Sequence, residues 1–365
     1  MSVLGIPGPR GMASAAANLF DAAVRGGVAD LRRVPAALID HGPQRNVYRY
    51  LPPERRTPRG LPVLLVPPLA APALCFDLRR GCSLAEHLVL AGRETYLVDY
   101  GAIEFGDRAL GLEHWIEDVI PGAVRAVSED AGGVPVRVVG WCLGGIMALL
   151  AHAGDPQLPI DSMALVASPW DFERVPMMAP LRPIAAVTRG QGVTQLYRLL
   201  GGAPAPLVRG GYQLAGIDKY LMKPWTIATH LDDRDLLAQI EAVDAFMARM
   251  HAYPGRTFGQ LYHRLFRTND LADGRLELSR RTIDLADATV PLLAVAGAGD
   301  GIAPVAACHH LGDLVPGARS VRLETAPGGH LGVLTGRAAR ATTWRLIDDL
   351  LDAPAPRWRR RRAAA

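Results

Sequence analysis

Short apolar runs recur along this chain, and most are followed by a stretch of helical periodicity. The pattern predicts a helical stretch over 17–40, interrupted by Gly26-Gly27, and a half-exposed strand over 46–51 (NVYRYL), where apolar and polar positions alternate. A polar turn follows over 55–60. Residues 61–66 (LPVLLV) are almost continuously apolar and stop at Pro67-Pro68, as expected of a strand buried on both faces of a parallel sheet. A helix over 83–91 comes next, capped by Ser83 with Glu86 three residues on, then a strand over 94–98 (ETYLV). An amphipathic helix around 112–128, a strand and helix within 136–150, and a strand over 162–167 (SMALVA) complete this part. Strand alternates with helix, which predicts βαβ units and a mostly parallel sheet.

The rhythm breaks after 168–172 (SPWDF). Residues 173–285 hold no convincing buried strand; proline and glycine punctuate helical segments such as 232–250, with aromatics at Tyr253, Phe258, Tyr262 and Phe266. The sheet pattern resumes at 291–296 (PLLAVA), followed by a helix near 305–314, a short strand at 321–324 and a helix over 337–351. The chain therefore divides into a helical lead-in (1–44), an α/β core in two parts (45–172 and 286–352), a helical lid inserted between them (173–285), and a basic, disordered tail (353–365). An insertion late in such a sheet sits where a lid over strand C-termini would lie.

Composition narrows the function classes. At 365 residues and 49% apolar, the chain can bury one large core with an insertion. Its four cysteines, Cys75, Cys82, Cys142 and Cys308, show neither a disulfide framework nor metal-ligand spacing, so reduced thiols and a cytoplasmic setting are expected, with no metal. The first twenty residues lack the layout of a signal peptide, and no long apolar window predicts a membrane span. The net charge of +4 is small, the one dense basic run is Arg357-Trp358-Arg359-Arg360-Arg361-Arg362, and nucleic-acid binding is not supported.

The candidate chemistry centres on 136–150, VRVVGWCLGGIMALL. A β-favouring run meets Gly140-Trp141-Cys142-Leu143-Gly144-Gly145 and passes directly into an apolar helix, the order of a nucleophile elbow with cysteine in the place of serine. Gly140 and Gly144 would let helix and strand close on each other, and Cys142 would sit at the helix N-terminus, where the dipole favours a thiolate. Asp300 follows the strand at 291–296, and His330 lies in the glycine-rich loop 326–336 after the next strand. Nucleophile, acid, histidine is the chain order of α/β-hydrolases. His330 would take the Cys142 proton, Asp300 would orient the imidazole, and the backbone N–H groups of Leu143 and of the 69–71 loop, at Ala71, would form the oxyanion hole. His152, His251, His263, His309 and His310 read as packing or surface residues on helices. Cysteine at the elbow points to acyl transfer from a thioester, with the lid excluding water.

Those residues carry a resemblance to the polyhydroxyalkanoate synthases, particularly the short class III catalytic subunits, from about 44 to 351. It rests on VPPLAAPALCFDLRRGCSLAEHL (66–88), YLVDYG (96–101), GWCLGG (140–145), ASPWDF (167–172), FGQLYHRLFRTNDLADGRL (258–276), GAGDGIAPV (297–305) and PGGHLGVLTG (327–336). The resemblance implies an α/β-hydrolase fold that polymerises (R)-3-hydroxyacyl-CoA with release of CoA, with Cys142 carrying the acyl chain, Asp300 as acid and His330 as base. CoA thioester would be the substrate and no separate cofactor is implied. It leaves open a second synthase subunit, a homodimer through the lid and a polymer-granule surface as partners. Arg79, Arg80, Arg256 and Arg264 are candidates to meet the CoA phosphates. Two departures stand out: Ala71-Pro72 where an asparagine and a basic residue are usual, and Tyr100 in place of tryptophan. A thiol hydrolase or intracellular depolymerase, and a non-catalytic granule protein, remain the alternative functions.

Overall fold

The computed structural model describes residues 9–54, 57–176, 201–215 and 217–354. The strands of its main sheet are β1 (Ala36–Gly42), β2 (Arg45–Tyr50), β3 (Val63–Val66), β4 (Thr95–Asp99), β5 (Val136–Trp141), β6 (Ile160–Val166), β7 (Leu292–Gly297) and β8 (Val321–Ala326). They lie in the order β1-β2-β4-β3-β5-β6-β7-β8. From β4 to β8 all pairings are parallel, while β1–β2 and β2–β4 are antiparallel. Every residue of β3, β5, β6 and β7 is buried, which is why these strands read as continuous apolar runs. The long helices are α1 (Pro9–Val24), α2 (Leu84–Leu90), α3 (Ile120–Asp130), α4 (Leu143–Gly154), α5 (Ala205–Ala215), α6 (Ile217–Thr229), α7 (Arg234–Met247) and α8 (Thr343–Asp352). This is an α/β-hydrolase fold: a mostly parallel sheet flanked by helices, with α5, α6 and α7 in the excursion between β6 and β7.

Local chemistry explains the element ends. Ser83 Oγ accepts from the Glu86 amide at 3.0 Å and caps α2, while Glu86 reaches back to the Gly81 amide at 2.8 Å and to Arg80. The helix expected around 112–128 opens instead with a π-helical turn, His114–Val119. Pro121 supplies the reason: it has no N–H to bond back along the helix, so the preceding turn widens.

The helical lead-in needs correction. After α1 the chain turns through Gly26 and Gly27, both at positive φ, and Ala36–Gly42 is an antiparallel edge strand with an irregularity between Leu38 and Asp40. The bulge breaks the alternation of apolar positions, and Leu38 lies exposed, so the segment mimics helical spacing. Within 173–285 the structure also adds two miniature ladders, Gly202–Ala203 with Tyr253–Pro254 and Arg275–Glu277 with Thr282–Asp284. The basic run 357–362 lies outside the described residues.

Candidate active site

Four loops converge at the C-terminal ends of the parallel strands: those after β3, β5, β7 and β8. The turn after β5 is the tightest. Cys142 is held at φ 53° and ψ −124°, a strained conformation for a residue with a Cβ. Its amide donates to Val166 O at 2.8 Å and its carbonyl accepts from Ser168 Oγ at 2.8 Å, so β6 and the residues just past it clamp the turn. A Cβ on Gly140 would lie 2.5 Å from Gly145 Cα, and one on Gly144 would lie 2.3 Å from Val66 O. A Cβ on Gly145, which carries no separate signal in the sequence pattern, would meet Ser168 Oγ at 2.3 Å. Only glycine lets α4 lie this close to β3 and β5.

Cys142 thus opens α4 while remaining only 8% exposed. His330 Nδ1 is 2.8 Å from Asp300 Oδ2, with the carboxylate fully buried. Asp300 Oδ1 accepts the Ile302 and Ala303 amides at 2.8 and 2.9 Å, which fixes the carboxylate in place. Trp141 donates its indole N–H to His330 O at 3.1 Å, and the two rings lie 5.2 Å apart. Burial pulls the His330 pKa down. The charge of Cys142, the Asp300 carboxylate and hydrogen bonds to both outweigh it and hold the imidazole up at about 10. The structure therefore brings together Cys142, Asp300 and His330, which are far apart in the sequence, with His330 between the other two.

Leu143 is the first residue of α4, where an amide has no acceptor within its own helix. The loop after β3 carries Ala70 at φ 61°, and Ala70 O accepts the His251 amide at 2.8 Å. Ala71 lies beside it and lines a small cavity with Asp99, Tyr100 and His251. Tyr100, at the position where tryptophan is usual, donates its hydroxyl to Pro67 O at 2.9 Å and so braces the same loop. His251 does not lie on a helix, where the sequence pattern put it; it falls between α7 and the Tyr253–Pro254 strand and supports this loop.

The inserted segment supplies two further side chains that sequence patterns do not single out as site residues. Tyr212 of α5 and Tyr253 lie within electrostatic reach of Cys142 and of each other; burial above all, then the Tyr253 phenol at Tyr212 and the Cys142 charge at Tyr253, pushes both phenols above their ordinary range. A tyrosine in a glycine-rich helix and another before a Pro-Gly pair carry no signal in one sequence.

Of the arginines expected to meet phosphate, Arg79 and Arg80 are taken up by the fold. Arg79 is buried against Asp235 and Gln239, and Arg80 pairs with Glu86. Arg256 and Arg264 instead line an open cleft of about 430 Å³. Among the described residues no cluster of His, Cys, Asp and Glu could hold a metal ion, and no helix is long and apolar enough to cross a membrane. All four cysteines are free and buried.

No protein-family model matches the chain. It is similar to curated proteins named poly(3-hydroxyalkanoate) polymerase subunit PhaC. The protein of Allochromatium vinosum is 25% identical over 300 residues, covering 81% of this chain and 82% of the relative. That of Synechocystis is 24% identical over 305 residues, covering 80% and 78%. That of Cupriavidus necator is 25% identical over 308 residues, covering 81% of this chain and 51% of the longer relative. Solved structures that it resembles include mouse alpha/beta hydrolase domain-containing protein 10 (TM-score 0.49, 14% identity, 87% and 98% covered). Another is E-2-(acetamidomethylene)succinate hydrolase (TM-score 0.49, 17% identity, 87% and 99% covered).

Proposed function

We propose that this chain is an acyltransferase of the α/β-hydrolase superfamily that polymerises 3-hydroxyacyl-CoA into polyhydroxyalkanoate, with Cys142, His330 and Asp300 as its catalytic residues. The likeness to the PhaC subunits over four fifths of the chain supports the reaction class. The observation that carries the reading is the buried Asp300 carboxylate bonded to the His330 imidazole at the same site as a cysteine on a strained elbow.

The chemistry balances on these residues. Cys142 Sγ attacks the thioester carbonyl, a C–S bond forms, and the bond to the CoA sulfur breaks. His330 gives its proton to the leaving sulfur, and CoA departs as a thiol. The neutral ring then accepts the proton of an incoming 3-hydroxyl group, whose oxygen attacks the acyl-cysteine; an ester bond forms and the Cys142 thiolate returns. Asp300 keeps Nδ1 occupied so that Nε2 faces the sulfur. The amides of Leu143 and Ala71 receive the developing oxyanion, a role for the backbone that the Ala71-Pro72 departure leaves intact. Such an enzyme would work in the cytoplasm, at the surface of its own water-insoluble product.

Mass spectrometry of the intact protein after incubation with 3-hydroxybutyryl-CoA tests this. An acyl mass on Cys142 that grows by whole monomer units, and that is lost in Cys142→Ala together with thiol release, is the expected result. Soluble hydroxy acid without any lengthening adduct would instead assign the chain to thioester hydrolysis.

A further inference from the structure

The open cleft of about 430 Å³ lies beside the inserted segment and is lined by Arg108, Gly201, Gly255, Arg256, His263 and Arg264. Three arginines and a histidine meet at it. Arg108 is exposed, stacks on the Phe105 ring at 4.6 Å, and meets no carboxylate among the described residues. Arg256 is anchored through one nitrogen, Nη2, to Glu113 at 2.9 Å and Ser279 at 2.7 Å. Arg264 meets Asp270 at 3.4 Å and Glu277 at 2.9 Å. Two of these acids lie deeper than their arginines: Glu113 is 16% exposed against 47% for Arg256, and Asp270 is 19% exposed against 38% for Arg264. Each of these two acids thus anchors a guanidinium group more exposed than itself. Glu277 is exposed, and a pair of that kind contributes little in water, so an arriving anion can displace it. Gly201 and Gly255 both line it and pack on each other: a Cβ on Gly255 would lie only 2.8 Å from Gly201 O.

Two consecutive residues tie this cleft to the acyl site. Pro254 lines the cavity behind the Ala70-Ala71 loop, and Gly255 lines the basic cleft. Consecutive Cα atoms lie about 3.8 Å apart. An anionic group in the cleft would therefore lie a short reach from the Ala70-Ala71 loop, with an intervening linker free to run along 253–255.

We propose that the Arg108–Arg256–Arg264 cleft binds the phosphate groups of a nucleotide-tailed thioester, holding the adenosine bisphosphate end of CoA while the acyl end reaches Cys142. This rests on the thioester reading and names where that substrate is gripped. Planar guanidinium groups that can donate two parallel bonds suit phosphate, and Arg108 stacked on Phe105 is pre-positioned for it.

Calorimetric titration of the full chain with adenosine 3′,5′-bisphosphate is the direct test. Saturable binding that weakens at least about tenfold in Arg108→Ala/Arg264→Ala, with unchanged melting temperature, supports the site; a charge-assisted bond is strong enough to account for that loss. Absence of binding to the parent protein, equal binding by the variant, or equal binding of adenosine without phosphates would overturn it. Kinetics supply a second arm: the preference for 3-hydroxybutyryl-CoA over 3-hydroxybutyryl-N-acetylcysteamine, which lacks the nucleotide, should fall about tenfold in the same variant through KM. An unchanged preference would also overturn the site. If neither thioester is turned over by the parent protein, the polymerase reading fails, and the titration still decides on the cleft.

Discussion

His330 shows how one position is set by its neighbours. In a buried site an isolated imidazole sheds its proton, yet here Cys142 and Asp300 reverse the balance and hold the pKa near 10. Cys142→Ala removes the first and larger of those two attractions while burial still pulls downward. The His330 resonances should therefore titrate at a lower pH in Cys142→Ala than in the parent protein, where the imidazole stays cationic through neutrality and loses its proton only near pH 10. NMR of the imidazole C–H signals decides it, and an identical titration in both proteins would show that no charge on Cys142 faces the ring. Cys142, Asp300 and His330 are legible in the sequence because each follows a strand in a loop whose glycines leave a distinct signature. Tyr212, Tyr253 and His251 are not, since their meaning comes from where the inserted segment folds back, and no local pattern records that.

The elbow helix and the turn before it depend on absent side chains. In Gly144→Ala the new Cβ would meet Val66 O at 2.3 Å and Pro67 O at 2.5 Å, backbone atoms that cannot rotate away. The gain in helix propensity is about 1 kcal/mol, and overpacking against backbone costs about 3 kcal/mol or more, so the net effect is destabilising. At Gly210 on α5 an added methyl would find nothing within 4 Å, so Gly210→Ala should raise stability by up to about 1 kcal/mol. Urea unfolding of both variants reads the contrast, which fails if they shift the same way. A second tie between elements is Glu113, which accepts from Ser279 and Gln260 and so joins the π-helical turn after β4 to the segment before β7. Burial pushes its carboxyl up, but those hydrogen bonds draw it down from an ordinary 4.5 to about 2. A depressed carboxyl stabilises the fold fully above about pH 4.5, and that contribution is lost as the pH falls toward 2. Acid titration of stability should thus be shallower in Glu113→Gln, by about 1–2 kcal/mol over that interval after allowing for solvent screening. Parallel acid-unfolding curves would remove Glu113 from the account. The buried strands can be read from their apolar runs, whereas edge strand β1 cannot, because its bulge and its exposed Leu38 erase the two-residue period.

The two parts of the core, separated by more than a hundred residues of insertion, are joined by a charge inside the sheet. Arg137 interrupts the apolar run of β5, and in the sequence nothing distinguishes it from an edge-strand arginine facing water. In the fold it is 3% exposed, pairs with Asp161 of β6 at 2.9 Å, and donates to the carbonyls of Leu350, Leu351 and Ala353 at the end of α8. Arg93 does the same from the edge of β4, reaching Leu351 O at 3.1 Å and Asp352 at 2.7 Å. A helix C-terminus presents unsatisfied carbonyls and partial negative charge, so two buried guanidinium groups there complete the last helix while binding it to strands formed some two hundred residues earlier. The two partners of the buried pair are therefore unequal. Arg137→Met strands the Asp161 carboxylate and uncaps α8 together, which should cost about 3–5 kcal/mol. Asp161→Asn leaves Arg137 its three carbonyl acceptors and keeps a polar group beside it, so its cost should be clearly smaller. Adding Asp161→Leu to Arg137→Met removes the stranded charge and should recover part of the loss, but not the part owed to the uncapped helix. Equilibrium unfolding in urea measures all three. Equal costs for the two single substitutions would mean that the ion pair, and not the grip on α8, is what Arg137 contributes to holding the halves of the core together.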